Sequence, residues 1–192
     1  MNRTMAKIVL LIAGISLLFS GTALAENRST AFTLTPMAGY HMIDGGMDLD
    51  DEAAFGLALG YNINRNWGVE ADFRYTPTQT NLSGVSDRDV DIWTLGLGAL
   101  YHFQPEQDLN PYLSFGAGGM VYDLDGTSHN DEDFMGYWGG GVKYALNDSA
   151  ALRLDLRHIL DYRSDNRGSK HDDSDWRHHL QAMFGVTFQF GG

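Results

Sequence analysis

The stretch from Trp176 to Phe190 alternates with period two over fifteen residues. Trp176, His178, Leu180, Ala182, Phe184, Val186, Phe188 and Phe190 share one side, and Arg177, His179, Gln181, Met183, Gly185, Thr187 and Gln189 share the other. A strand in a soluble protein averages about five or six residues, whereas a tilted strand crossing a bilayer needs roughly nine to eleven. The length predicts a membrane-spanning strand, with its Leu, Val and Phe side toward lipid and its Gln, Thr and Gly side toward a lumen. Hydrocarbon tolerates no unpaired strand edge, so this last strand is expected to close against the first.

The N-terminus reads as a processing segment. Arg3 and Lys7 form a basic head, Ile8 to Phe19 an apolar run, and Ala23-Leu24-Ala25 a small-x-small cleavage site. Removal after Ala25 is expected, because the run is short for a permanent span, and residues 26–192 then form one domain. Losing two basic residues takes the formal charge from -12 to -14. Such acidity argues against nucleic acid as a partner, since nucleic acid is held by basic patches. Cysteine is absent, which excludes disulfides and thiolate chemistry. No later stretch approaches the roughly 18 apolar residues of a transmembrane helix. The mean hydropathy of -0.26 does not contradict a membrane location, because alternating strands hide their lipid face from an average.

Seven further strands precede the last. The first, Ala31 to Ile43, sets Phe32, Leu34, Pro36, Ala38, Tyr40 and Met42 against Thr33, Thr35, Met37, Gly39 and His41. Pro36 lacks a ladder donor and is expected to carry a cost or mark a bulge. The second and third, Ala53 to Ile63 and Trp67 to Tyr75, are joined by Asn64-Arg65-Asn66. The fourth and fifth, Val90 to Phe103 and Pro111 to Tyr122, flank a short connection at Gln104 to Asn110. The sixth and seventh, Phe134 to Tyr144 and Ala150 to Tyr162, flank a tight turn at Leu146-Asn147-Asp148-Ser149. Three short turns alternate with four longer polar loops, the pattern of an all-β, eight-stranded antiparallel up-and-down transmembrane barrel. Tyr61, Trp67, Tyr101, Phe103 and Tyr144 fall near turn-side strand ends, where an aromatic girdle is expected. The competing arrangement is a soluble lipocalin-type barrel or sandwich, which would bury the aromatic rows and turn the charged rows to water.

In a membrane barrel the charged rows point inward. They comprise Glu70, Asp72 and Asp155 with Arg74, Lys143, Arg153 and Arg157. An eight-stranded barrel is only just wide enough for side chains to fill, and isolated charges there are costly. An ion-pair cluster plugging the lumen is therefore expected; a narrow gated ion path is the alternative, because inward glycines leave room for water. The histidines offer little chemistry. His129 and His171 lie in acidic loops, and His158, His178 and His179 near the outer rim. No Gly-x-Ser-x-Gly element is present to hold an activated serine, and Ser128 beside His129 is only a loop dipeptide. No metal-ligand spacing stands out, and Gly139-Gly140-Gly141 leads into a strand rather than the helix of a phosphate loop. No catalytic, cofactor or metal site is assigned. Asp44, Asp48, Asp50, Asp51 and Glu52, with Asp123, Asp125, Asp131, Glu132 and Asp133, are expected to crowd the outer mouth. Divalent cations bridging them to lipopolysaccharide phosphates are one role for them, and plain solvation the other.

Taken together, AFTLTPMAGY, LGYNINRNWGVEADFRY, LGALYHF, LNPYLSFGAGG, ALRLDLRHIL and the ending FGVTFQFGG resemble, in order and spacing, the N-terminal barrel of the OmpA/OprF family. The resemblance implies an outer-membrane barrel with structural, envelope-stabilising and sometimes adhesive or weakly porous roles. Its implied partners are outer-membrane lipids, lipopolysaccharide and the barrel-assembly machinery, without any cofactor. It also implies an insertion signal in Phe184, Val186, Phe188 and Phe190, from which the trailing Gly191-Gly192 departs. That family's peptidoglycan-binding domain is not in this sequence, which leaves a barrel-only member or a cut chain as alternatives. A second functional class is a lipid-modifying enzyme such as a PagL-type deacylase, with His158 and His178 as candidate bases. A serine oxygen within hydrogen-bonding reach of either ring would distinguish it.

Overall fold

The computed structural model describes residues 27–42, 52–79, 89–124, 130–162 and 176–192. Its eight strands are β1 (Ala31–Met42), β2 (Glu52–Asn62), β3 (Trp67–Gln79), β4 (Asp89–His102), β5 (Leu109–Leu124), β6 (Asn130–Asn147), β7 (Ala150–Tyr162) and β8 (Trp176–Gly191). Each pairs antiparallel with its neighbour in sequence, and the sheet closes. β1 meets β8 with Ala31 opposite Gly191 and Met42 opposite Leu180, so no edge is left open.

Alternation assigns the faces. Leu97 is 66% exposed and Phe32 64%, while Arg153 and Asp155 are 0% exposed. Phe55, Leu59, Phe73, Leu95, Phe115, Trp138, Leu156 and Phe184 join the outer row, and no water-facing surface carries an apolar band of that extent. The soluble arrangement is overturned, because its polarity is the reverse of what the strands adopt.

Asparagine shapes two of the turns. The Asn64 side-chain oxygen accepts from the Asn66 and Trp67 amides at 2.9 and 2.8 Å, and that of Asn147 accepts from the Ser149 amide at 2.9 Å. The register slips once, between Ala145 and Asn147. Pro36 makes no bulge: the β1–β8 register is unchanged on either side of it. The ladder instead lapses between Leu34 and Met37, where a lumen-side bond at 3.0 Å joins the Thr35 and Thr187 hydroxyls.

Several strands run longer than the apolar alternation indicates. β3 continues to Gln79, β5 to Leu124, and β6 begins at Asn130. Backbone ladders need no apolar side chains, so the wall continues past the lipid-facing band. Asp123, Asp131, Glu132 and Asp133 consequently belong to strands rather than to a loop. Asp44, Asp48, Asp50, Asp51, Asp125, His129, His171 and residues 1–26 lie outside the described residues.

Leu97 lies mid-strand on the outer row. Leu97→Arg is expected to lower stability in lipid by roughly 2–4 kcal/mol, read from urea unfolding in bilayers.

Candidate functional site

β3 and β7 stand four places apart around the eight-strand ring and therefore face each other across the lumen. β3 contributes Glu70, Asp72 and Arg74, and β7 contributes Arg153, Asp155 and Arg157, each at alternate inward positions. Arg153 grips Glu70 through two bonds of 2.5 and 3.0 Å and reaches Asp155 at 2.8 Å. Arg157 contacts Glu70 at 3.1 Å, Asp72 at 2.9 Å and Asp155 at 2.8 Å. Arg74 contacts Asp72 at 2.8 Å and Asp155 at 3.3 Å, and donates to Gln181 on β8. Three cations thus balance three anions, and every member touches at least two of opposite sign. Full burial makes each unpaired charge costly, so the set holds as a unit.

Two tyrosines complete this layer. The Tyr112 hydroxyl accepts from Arg153 Nε at 2.8 Å and donates to Asp155 at 2.6 Å. Arg157 lies 4.4 Å from the centre of the Tyr137 ring. That ring occupies space left by Gly98 and Gly116, where an added Cβ would collide with it. Lys143 does not join the ion pairs. It is buried and inward, but no carboxylate lies within ion-pair distance among the described residues, and it sits 5.8 Å from the Tyr112 ring centre. It is inward from β6, beyond the β3–β7 axis, and lines a small cavity with Asn27, Asn110 and Gln189.

Toward the loops, Val90, Ile92, Met120, Met135, Tyr137 and Ile159 form an apolar layer inside the barrel. Beside it, Asp161 meets His179 at 3.1 Å and Arg177 at 3.5 Å, and Tyr122 donates to Asp161 at 3.2 Å. Asp133 is buried and bonded to Arg177 at 3.3 Å, so it is an internal partner and not an acid of the outer mouth. His41 meets Thr76 at 3.2 Å.

The turn-side mouth is closed by the chain that precedes β1. The Asn27 amide donates to Pro105 at 2.8 Å, and its side chain donates to the Arg65 carbonyl at 2.7 Å. Asn62 donates to Asn27, to the Arg28 carbonyl and to Gln189 at 3.2, 3.0 and 3.3 Å. Residues 27–30 carry no apolar alternation, so periodicity passes over them; the inward parity of Asn62, His102 and Gln189 is the signal that a polar partner is needed there.

On the outer wall Trp67 meets Tyr101 at 4.9 Å with the rings tilted, Tyr101 meets Phe103 at 5.1 Å, and Tyr61 meets Phe32 at 5.0 Å between ring centres. Tyr144 is half exposed on the same side. Phe184, Val186, Phe188 and Phe190 all lie on the outward row of β8. A second aromatic group, which the turn-side reading missed, sits toward the loops: Tyr75 lies 4.3 Å from Trp93 and donates to Asp91 at 2.8 Å. His158 and His178 face outward and bond to each other at 3.3 Å. No serine bonds to His158, whose Nδ1 has no partner among the described residues.

Arg153→Met is expected to destabilise the fold by about 3–5 kcal/mol, because Glu70 and Asp155 lose a fully buried partner. Adding Glu70→Gln should recover a measurable part of that loss, and a double-mutant cycle of urea midpoints in micelles gives the coupling. Gly98→Val should cost about 1–3 kcal/mol by forcing Tyr137 aside and crowding the Phe115 carbonyl, seen in the same assay.

Residues 11–188 match the family model described as the outer membrane protein beta-barrel domain. The chain is 24% identical over 161 residues to outer membrane protein Omp38 of Acinetobacter baumannii, a match that covers 78% of this chain. It spans 42% of that relative's length. Among solved structures it is similar to Neisserial surface protein A, with TM-score 0.64, 19% identity, and coverage of 83% of this chain and 99% of that one. It is likewise similar to OprG of Pseudomonas aeruginosa, with TM-score 0.60, 15% identity, and coverage of 88% and 100%. The N-terminal barrel of OprF from Pseudomonas aeruginosa gives TM-score 0.55 at 16% identity, over 84% of this chain and 98% of that one. With the closed eight-stranded wall, its lipid-facing row and the family match all agreeing, the chain belongs to the outer-membrane β-barrel family and resides in the bacterial outer membrane.

Proposed function

We propose that this protein is a structural element of the envelope: its lumen is shut by internal ion pairs and its loops make contacts at the cell surface. The observation that carries the reading is the balanced set of Arg74, Arg153 and Arg157 with Glu70, Asp72 and Asp155, which reaches from β3 to β7. A conducting path through this layer would need guanidinium groups to part from two or three carboxylates each. Every separated charge would remain in a buried site, so the closed arrangement is strongly preferred.

What such a barrel offers its cell is the outside of its wall. Lipids and lipopolysaccharide are its first partners, contacting the apolar row and the turn-side girdle of Tyr61, Trp67, Tyr101, Phe103 and Tyr144. Loop carboxylates outside the described residues can recruit divalent cations to bridge neighbouring lipopolysaccharide phosphates. The outward row Phe184, Val186, Phe188 and Phe190 is the segment presented to the assembly machinery. Removal of residues 1–25 fits the seating of Asn27 in the turn-side mouth. Among the described residues His158 pairs with His178 and bonds to no serine, so they lend the deacylase reading no support.

Planar-bilayer conductance tests the proposal on wild type, Glu70→Ala and Arg153→Ala. Silent wild type with leak in either variant is the expected result. Steady channels in wild type would overturn it and favour passive permeation.

A further inference from the structure

One buried charge stands outside the balanced set. Arg74, Arg153 and Arg157 match Glu70, Asp72 and Asp155 one for one, so the ammonium of Lys143 brings an unmatched positive charge into the lumen. Lys143 is 6% exposed, and no carboxylate lies within ion-pair distance of it among the described residues. Register explains its isolation. On one side Lys143 faces Arg153 of β7, which draws Glu70 and Asp155 to itself, and on the other it faces Asn110 of β5. A buried ammonium without a counter-ion is strongly unfavourable.

The polar groups around it already use their oxygens elsewhere. The Asn110 side-chain oxygen accepts from the Gln104 amide at 3.3 Å, that of Asn27 from Asn62 at 3.2 Å, and that of Gln189 from the Arg28 amide at 3.2 Å. With its oxygen so held, Asn110 is left with its Nδ2 hydrogens for the cavity that it shares with Lys143. The free volume there is about 20 Å³. Roughly 10–15 Å³ on that measure holds one water. A halide ion is only slightly larger than water and fits, whereas phosphate or a lipid headgroup does not. Gln107 and Asp108, both exposed residues of the β4–β5 turn, also line the cavity and put it within reach of the turn-side solution.

We propose that Lys143 and Asn110 hold a small inorganic anion of chloride size in this turn-side cavity. The ion accepts charge-assisted hydrogen bonds from the Lys143 ammonium and a further one from Asn110 Nδ2, and so links β6 to β5. It supplies the negative charge that Glu70 and Asp155, held by Arg153, do not. The site rests on the unmatched ammonium and the size of the cavity, and not on the lumen being shut.

The test is urea unfolding of the refolded protein in detergent micelles, with gluconate replaced by chloride at constant ionic strength so that general screening is unchanged. Wild type should gain about tenfold in folding constant for each tenfold rise in chloride above the dissociation constant. Lys143→Met should lose this response and be at least as stable as wild type in gluconate. Asn110→Asp, which places a carboxylate directly opposite Lys143, should lose it too. Crystals of wild type grown in bromide give a readout that needs no variant: anomalous scattering beside Lys143 Nζ. An equal chloride response in wild type and Lys143→Met would overturn the site, as would bromide crystals with no anomalous peak there. A response absent from wild type but present in Asp108→Asn would overturn it as well and make Asp108 the counter-ion of Lys143.

Discussion

Hydrocarbon offers a backbone amide no partner, and this one condition accounts for most of what the chain does. Each N–H and C=O inside the membrane must find its mate in a neighbouring strand, so the sheet has to close. Closure explains why β1 and β8 meet along nearly their whole length, from Ala31 opposite Gly191 to Met42 opposite Leu180. It also explains how Pro36 is accommodated. Its missing donor opens a short gap in the β1–β8 ladder, and the Thr35–Thr187 bond spans that gap from inside without moving the register.

Closure at eight strands then creates a second problem. The interior is narrow and out of bulk water, yet alternation delivers charged side chains into it. The solution is mutual neutralisation across the diameter, with glycine in the walls to make room. Gly98 and Gly116 leave space for Tyr137, which in turn lies under Arg157. Above this layer the lumen is filled by methionine, isoleucine and tyrosine, and below it by asparagine and glutamine tied to the chain before β1. Polarity that a soluble protein would spend on its surface is here directed inward, and the surface is left to lipid.

The inward and outward rows could be read from the sequence residue by residue, because a two-residue period survives any amount of tertiary detail. Glu70, Asp72, Arg74, Arg153, Asp155 and Arg157 were legible as lumen residues for that reason. Their partners were not. Parity says that Lys143 also points inward, but only the strand order reveals that β3 faces β7 and that Lys143, on β6, stands off that axis. Strand ends were the least legible feature. Asp133 looks like a loop acid in a polar stretch, whereas the ladder continues through it and its carboxylate reaches Arg177.

The chain's alternation, turn residues and lengths determined by themselves the fold, the number of strands, the facing of side chains along each alternating apolar stretch and the membrane as solvent. Those properties follow from the geometry of a single strand and from transfer free energy, both of which are local. Only the tertiary structure decided which charges meet, that Asn27 seats in the turn-side mouth, and that His158 and His178 come within 3.3 Å of each other. These depend on register and curvature, which a closed ring sets for all eight strands at once and no single stretch of sequence contains.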